Sequence, residues 1–149
     1  MNATDLKPRG SHLRRGRHSE PGRLYLITAA TLNREQVFSE LSNARWVVQT
    51  LKNEASAYHV QTWAYVVMPD HLHWLMQLNE ENLSTVVGRV KRVSAARLGR
   101  RIWQSGFHDR AVREEEDLKA MARYVIANPV RAGLVESVAD YPHWDAIWL

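Results

Sequence analysis

The chain of 149 residues contains no cysteine. Disulfides and thiolate metal sites are therefore excluded, and a small stapled secreted domain is disfavoured. No apolar run approaches the ~18 residues of a membrane span, and no apolar signal segment stands near the start. The expectation is a soluble, cytoplasmic protein with no membrane partner. There is no internal repeat and no low-complexity tract. One absence is local. Residues 89–101 hold no acid, yet they hold Arg89, Lys91, Arg92, Arg97, Arg100 and Arg101.

The rest of the charge is as uneven. Residues 1–24 carry Lys7, Arg9, Arg14, Arg15, Arg17 and Arg23 against Asp5 and Glu20, which accounts for the whole net charge of +4. Beyond residue 24, bases and acids balance. Two basic segments suit a polyanion, nucleic acid above all. A basic tail and a solvated helix face would have the same composition.

The length fits one domain with a substantial core. Residues 1–20 are polar and read as an extended arm, leaving 21–149 as a single domain. A first strand is expected over 23–31. A helix follows from about 34 to 57, with Phe38, Leu41, Ala44, Val48, Leu51 and Ala55 at helical spacing. Strands near 59–67 and 71–78 form a hairpin across the Pro69-Asp70 turn. A second helix starts near the cap Asn82 and buries Leu83, Val86, Val87 and Val90. A short strand near 101–111 precedes a third helix from about Glu114, which ends before Asn128-Pro129. The last 20 residues read as an irregular cover. The order βαββαβ with a further helix predicts an α+β domain of ferredoxin-like type, an antiparallel sheet with helices on one face.

Within the hairpin, His71-Leu72-His73 is the segment that speaks of chemistry. Residues i and i+2 of a strand share a face, so two imidazoles stand side by side while Leu72 enters the core. Such a pair is either incidental or half of a metal site. On the third helix, Leu118, Met121, Ala122, Val125 and Ile126 form the buried stripe. Tyr124 and Asn128 lie one turn apart at its edge. Tyr124 offers a phenol nucleophile and Asn128 a neutral amide oxygen suited to a hard cation. The plainer alternatives are a half-buried tyrosine and a helix terminator.

Four segments, in order, resemble the REP-associated tyrosine transposases of the single-tyrosine His-hydrophobic-His superfamily. They are Leu13-Arg14-Arg15-Gly16-Arg17 with Tyr25-Leu26-Ile27-Thr28, then Val67 to His73, then Trp103-Gln104-Ser105-Gly106-Phe107-His108-Asp109-Arg110, and last Tyr124-Val125-Ile126-Ala127-Asn128-Pro129-Val130-Arg131-Ala132-Gly133-Leu134-Val135. The resemblance spans about residues 13–145.

The resemblance implies that His71, His73 and Asn128 bind Mg²⁺ or Mn²⁺. Relatives outside this group often have Gln at the last position. It implies that Tyr124 attacks single-stranded DNA, leaving a 5′-phosphotyrosine and a free 3′-hydroxyl. The implied partner is a DNA hairpin with a single-stranded foot. Arg14, Arg15 and Arg17 would follow that foot, and Arg89, Lys91 and Arg92 would face phosphates. Trp103, Phe107 or His108 would stack on a base or simply pack. Asp109 would orient a catalytic group or bind an arginine. A catalytically inactive hairpin-binding protein is the alternative. The C-terminal cover favours a monomer. A two-histidine phosphoesterase would need a His-x-Thr/Ser element, and an RNA-recognition sheet its aromatic strand signature; the chain has neither.

Overall fold

A computed structural model describes residues 19–113 and 117–146. Its centre is an antiparallel sheet of five strands: β1 (Leu24–Ala30), β2 (Val60–Met68), β3 (His71–Leu78), β4 (His108–Ala111) and β5 (Trp144–Ala146), in spatial order β4-β1-β3-β2-β5. Helices α1 (Leu41–Ser56) and α2 (Leu83–Leu98) cover one face. Helix α3 (Leu118–Ile126) covers part of the other, and a single helical turn, α4 (Asn128–Arg131), follows it. This is the expected α+β architecture.

Period-two alternation sorts the side chains. Tyr25, Ile27, Ala29, Tyr65, Val67, Leu72, Trp74 and Met76 meet α1 and α2. Leu24, Leu26, Ala64, Val66, Met68 and Leu75 meet α3. Trp74 is fully buried, and its indole N–H donates to Thr62 Oγ1 at 3.0 Å. A register shift between Thr62 and Ala64 bends β2 there. The Asn82 side chain caps α2 by accepting from the Thr85 amide, and Gly99 ends it at φ +81°, which glycine adopts without strain. Asp117 caps α3 in the same way through the Ala120 amide. Among the described residues no helix is long and apolar enough to cross a membrane.

Two expectations need correction. The first helix begins at Leu41, not near Arg34. Residues Leu32–Arg34 and Val37–Ser39 form 3-10 turns instead. Their amides look outward: Leu32 donates to Ile102 O and Phe38 to Pro69 O, both at 2.9 Å. Those long-range bonds take the donors that a helix would use internally. The third helix does end before Asn128-Pro129, at Ile126, and a separate helical turn follows. Proline, lacking an N–H, fits the first turn of the new helix α4. The C-terminal cover contains β5, which pairs with β2 along Ala64, Tyr65 and Val66. Tyr141 fixes it by donating to Val67 O at 2.6 Å, and the Val67 amide donates to His143 O. The expected start of the third helix at Glu114 lies outside the described residues.

Candidate active site

His71 and His73 project from the start of the central strand β3 onto the face that carries α3. Their cross-strand neighbours are Ala30 and Met68 for His71, and Thr28 and Val66 for His73. The two Nε2 atoms face each other at 3.1 Å, with the rings nearly perpendicular. Each Nδ1 is held from behind. His71 Nδ1 lies 2.7 Å from Asp70 Oδ1, and His73 Nδ1 lies 3.1 Å from Thr28 Oγ1. A carboxylate accepts, so the proton of neutral His71 sits on Nδ1 and its Nε2 carries the lone pair. Arg34 Nε in turn donates to Asp70 Oδ2 at 3.1 Å.

Both imidazoles are biased toward the neutral, ligating form. Burial pushes the His71 pKa down, against the Asp70 contact. Burial, the His71 ring, Arg131 and Arg34 push His73 down to about 3. Burial works against the Asp70 carboxylate, but the His71 hydrogen bond and the His71 and Arg34 charges outweigh it and keep its pKa low.

This donor set fits a divalent cation. Ligand bonds of about 2.1 Å at a right angle put their donor atoms about 3.0 Å apart, against about 3.4 Å for a tetrahedral angle. The observed 3.1 Å lies within that range, so the two nitrogens can share one ion. Two nitrogens oriented through their far side by a carboxylate and a hydroxyl are the usual outer support of a metal site. Asn128 spends its amide on Val125 O at 2.9 Å, and its Oδ1 accepts nothing among the described residues. That oxygen is free to ligate.

A cleft of ≈ 200 Å³ opens beside the histidines. Thr28, Ala30, Arg34, His71 and His73 form its floor, and residues 104–108 form its wall. Tyr124 stands on α3, above the same sheet face, with 61% of its surface exposed. The Arg131 guanidinium lies over its ring, 3.8 Å from the centroid.

The family described as "Transposase IS200 like" matches residues 23–128. The chain belongs to this transposase family. A REP-associated tyrosine transposase of Escherichia coli K12 is 32% identical over 82 residues, 53% of this chain and 50% of that protein. A Haemophilus influenzae protein assigned to the same group is 30% identical over 109 residues, 62% of each chain. This chain thus spans about half to six-tenths of the length of these relatives. A REP-associated tyrosine transposase solved bound to a REP hairpin has the same fold, with a TM-score of 0.70 and 24% identity over 86% of this chain and 79% of that one.

In this member of the family the acid-free segment of α2 divides by position. Arg89 does not face solvent phosphates. It binds both oxygens of buried Glu54, at 2.8 and 2.9 Å, together with Glu81 and His59 Nδ1. Those bonds raise its pKa, the Glu54 contact first, and its charge is already neutralised. The acceptors of Glu54, His59 and Glu81 lie within 4.8 Å of one another, a spacing that a metal could use, but the Arg89 cation already bonds to all three side chains. Lys91 also turns inward. Its Nζ donates to the main-chain oxygens of Gln104 and Gly106, both at 2.6 Å. Burial, then Arg101, lowers its pKa to about 8, which leaves it charged at neutrality. Its ammonium thereby ties the cleft wall to α2. Arg92 alone of the three is exposed without a hydrogen-bond or ion-pair partner among the described residues.

Trp103 is a core residue. It is 5% exposed, donates to Ser94 Oγ at 3.0 Å and packs 5.3 Å from the Phe38 ring, so no face is left for a base. Phe107 is buried as well. His108 is exposed at the cleft rim, paired with Thr28. Asp109 is buried beside Ile27, on the face of α1 and α2 and away from the histidines. Arg14, Arg15 and Arg17 lie outside the described residues. Sequence reasoning passed over Thr28, Asp70 and Arg131. An acid directly before His71 was the available signal for Asp70.

Proposed function

We propose that this transposase is a metal-dependent single-stranded DNA endonuclease and strand transferase that acts at REP-type hairpins. One observation carries the reading. The Nε2 atoms of His71 and His73 converge at 3.1 Å on the sheet face that also bears the Tyr124 helix. His71, His73 and Asn128 Oδ1 would hold Mg²⁺ or Mn²⁺. A divalent ion bound there supplies Lewis-acid polarisation of a phosphate oxygen. The hairpin carried by the solved relative supports the substrate class.

Tyr124 provides the attacking oxygen. A bond forms between the phenol oxygen and phosphorus while the bond from phosphorus to the 3′-oxygen breaks. The phenol proton passes through water to the departing 3′-oxygen. The products are a 5′-phosphotyrosine and a 3′-hydroxyl. One phosphodiester replaces another, so a second 3′-hydroxyl can run the exchange backwards without ATP. Asp70 and Thr28 hold the imidazoles in register throughout. Exposed Arg92 would meet backbone phosphates and His108 an unpaired base at the rim.

The test is a hairpin oligonucleotide with a single-stranded foot, incubated with protein and Mn²⁺. A covalent protein–DNA adduct should survive denaturing electrophoresis and vanish in Tyr124→Phe. An undiminished adduct in that variant would refute the assignment of the nucleophile. No adduct from the wild-type chain on its own hairpins would refute the nuclease reading.

A further inference from the structure

Arg131 differs from the other arginines near the site. Arg34, Arg89 and Arg100 each bind a carboxylate. The Arg131 guanidinium meets no acid and no carbonyl among the described residues; its contact is the face of the Tyr124 ring at 3.8 Å. The backbone sets this pairing. Pro129 is buried in the first turn of α4, and the Arg131 amide donates to Ala127 O at 3.0 Å. Tyr124 and Arg131 are thus two turns apart on an almost continuous helical path.

A guanidinium stacked face-on keeps its five N–H donors in the plane, pointing away from the ring. That is the geometry of bidentate phosphate binding, with the planar group pre-ordered by the stack. A cation stacked on the phenol nucleophile stands beside the phosphorus under attack, where charge on the non-bridging oxygens would grow.

We infer that Arg131 binds the phosphate that Tyr124 attacks, gripping its non-bridging oxygens with paired N–H donors while the Tyr124 ring holds the guanidinium in place. The inference rests on the nuclease reading for which phosphate this is. Lysine would not replace it, because a point charge neither stacks nor forks.

The experiment uses a series of hairpin oligonucleotides, each with one phosphate of the foot replaced by a neutral methylphosphonate. Binding is measured with Tyr124→Phe protein, which keeps the ring and prevents turnover, with and without Arg131→Gln. At one position the substitution should cost about ten- to a hundredfold in affinity when Arg131 is present and almost nothing when it is absent. The other positions should keep their costs in both proteins, and Arg131→Lys should restore only part of the effect. If every position keeps its cost in Arg131→Gln, the inference is overturned. Adduct formation by the wild type is scored separately. Adduct without this coupling removes Arg131 from the site and leaves the nuclease reading standing. Coupling without adduct keeps Arg131 as a phosphate-binding residue and removes the nuclease reading.

Discussion

Lys91→Met tests whether the basic face of α2 is one DNA-binding surface or several separate devices. Lys91 Nζ bridges the carbonyls of Gln104 and Gly106, and methionine keeps the stem while deleting the ammonium. A buried carbonyl left without a donor costs about 1–3 kcal/mol, and the half-buried Gln104 and Gly106 carbonyls at the cleft lose less because water reaches them. Relief from burying a charge returns part of this. The net loss should be about 1–2 kcal/mol, which at a urea slope of about 1–3 kcal/mol per molar lowers the midpoint by roughly 0.5–1 M. The damage should be local first, because the ammonium ties the cleft wall to α2. Amide hydrogen exchange over 104–108 should accelerate before the rest of the sheet responds. Arg92→Met is the paired control. That side chain is exposed and unpartnered, so the urea midpoint should hold while hairpin affinity falls and its dependence on log salt flattens by about one unit. The reasoning fails if Lys91→Met keeps its midpoint and flattens the salt dependence as Arg92→Met does. Lys91 would then be a phosphate contact.

Two further outcomes follow from the geometry. Asp70→Asn and Thr28→Val each remove a partner from an imidazole Nδ1, so Mn²⁺ affinity measured by calorimetry should drop about 10–100-fold in each with the fold intact; unchanged affinity would separate the histidine pair from metal binding. Burial raises the Tyr141 pKa to about 12, and burial followed by Asp145 does the same for Tyr65. A phenol whose folded pKa exceeds its unfolded value near 10 contributes stability that is complete below pH 10 and is lost as pH climbs toward 12. Each tyrosine adds about 1.4 kcal/mol per pH unit to that decline, so Tyr141→Phe should roughly halve the alkaline slope in urea titrations at about pH 10 to 12. An unaltered slope would mean that the phenol ionises freely in the folded chain.

What the sequence reveals and conceals has a physical pattern. The histidine pair, its shared face and the Tyr124–Asn128 turn were legible because strand and helix periods are local properties. The caps at Asn82 and the Pro69-Asp70 turn are local as well. Missed features depend on partners far along the chain. Thr28 reaches His73 across 45 positions, and Arg89 reaches Glu54 across 35. Whether Lys91 looks outward is decided by carbonyls 13 and 15 residues away. Composition records that these residues are basic, not that two of them are already engaged. The early helix start failed for the same reason, since the donors of Leu32 and Phe38 go to Ile102 and Pro69. β5 escaped because three residues carry no period of their own.

The placement of the site divides rigid and open parts in a way that suits reversible strand transfer. Both histidines sit on β3, which is hydrogen-bonded to β1 and β2 on its two sides, and their far nitrogens are tied down. Nothing on that side needs to move for a cation to be held at two fixed nitrogens. Tyr124 is the reverse. It is largely exposed, and its ring is held by Arg131 alone of the described arginines. On the proposed function, that side must accept one DNA strand, carry it covalently, and then admit a second 3′-hydroxyl from solvent. A buried tyrosine could attack once but would obstruct the second approach. An exposed tyrosine steered by one stacked cation keeps its aim and leaves the return path open. This is the arrangement expected where cleavage and rejoining use the same oxygen.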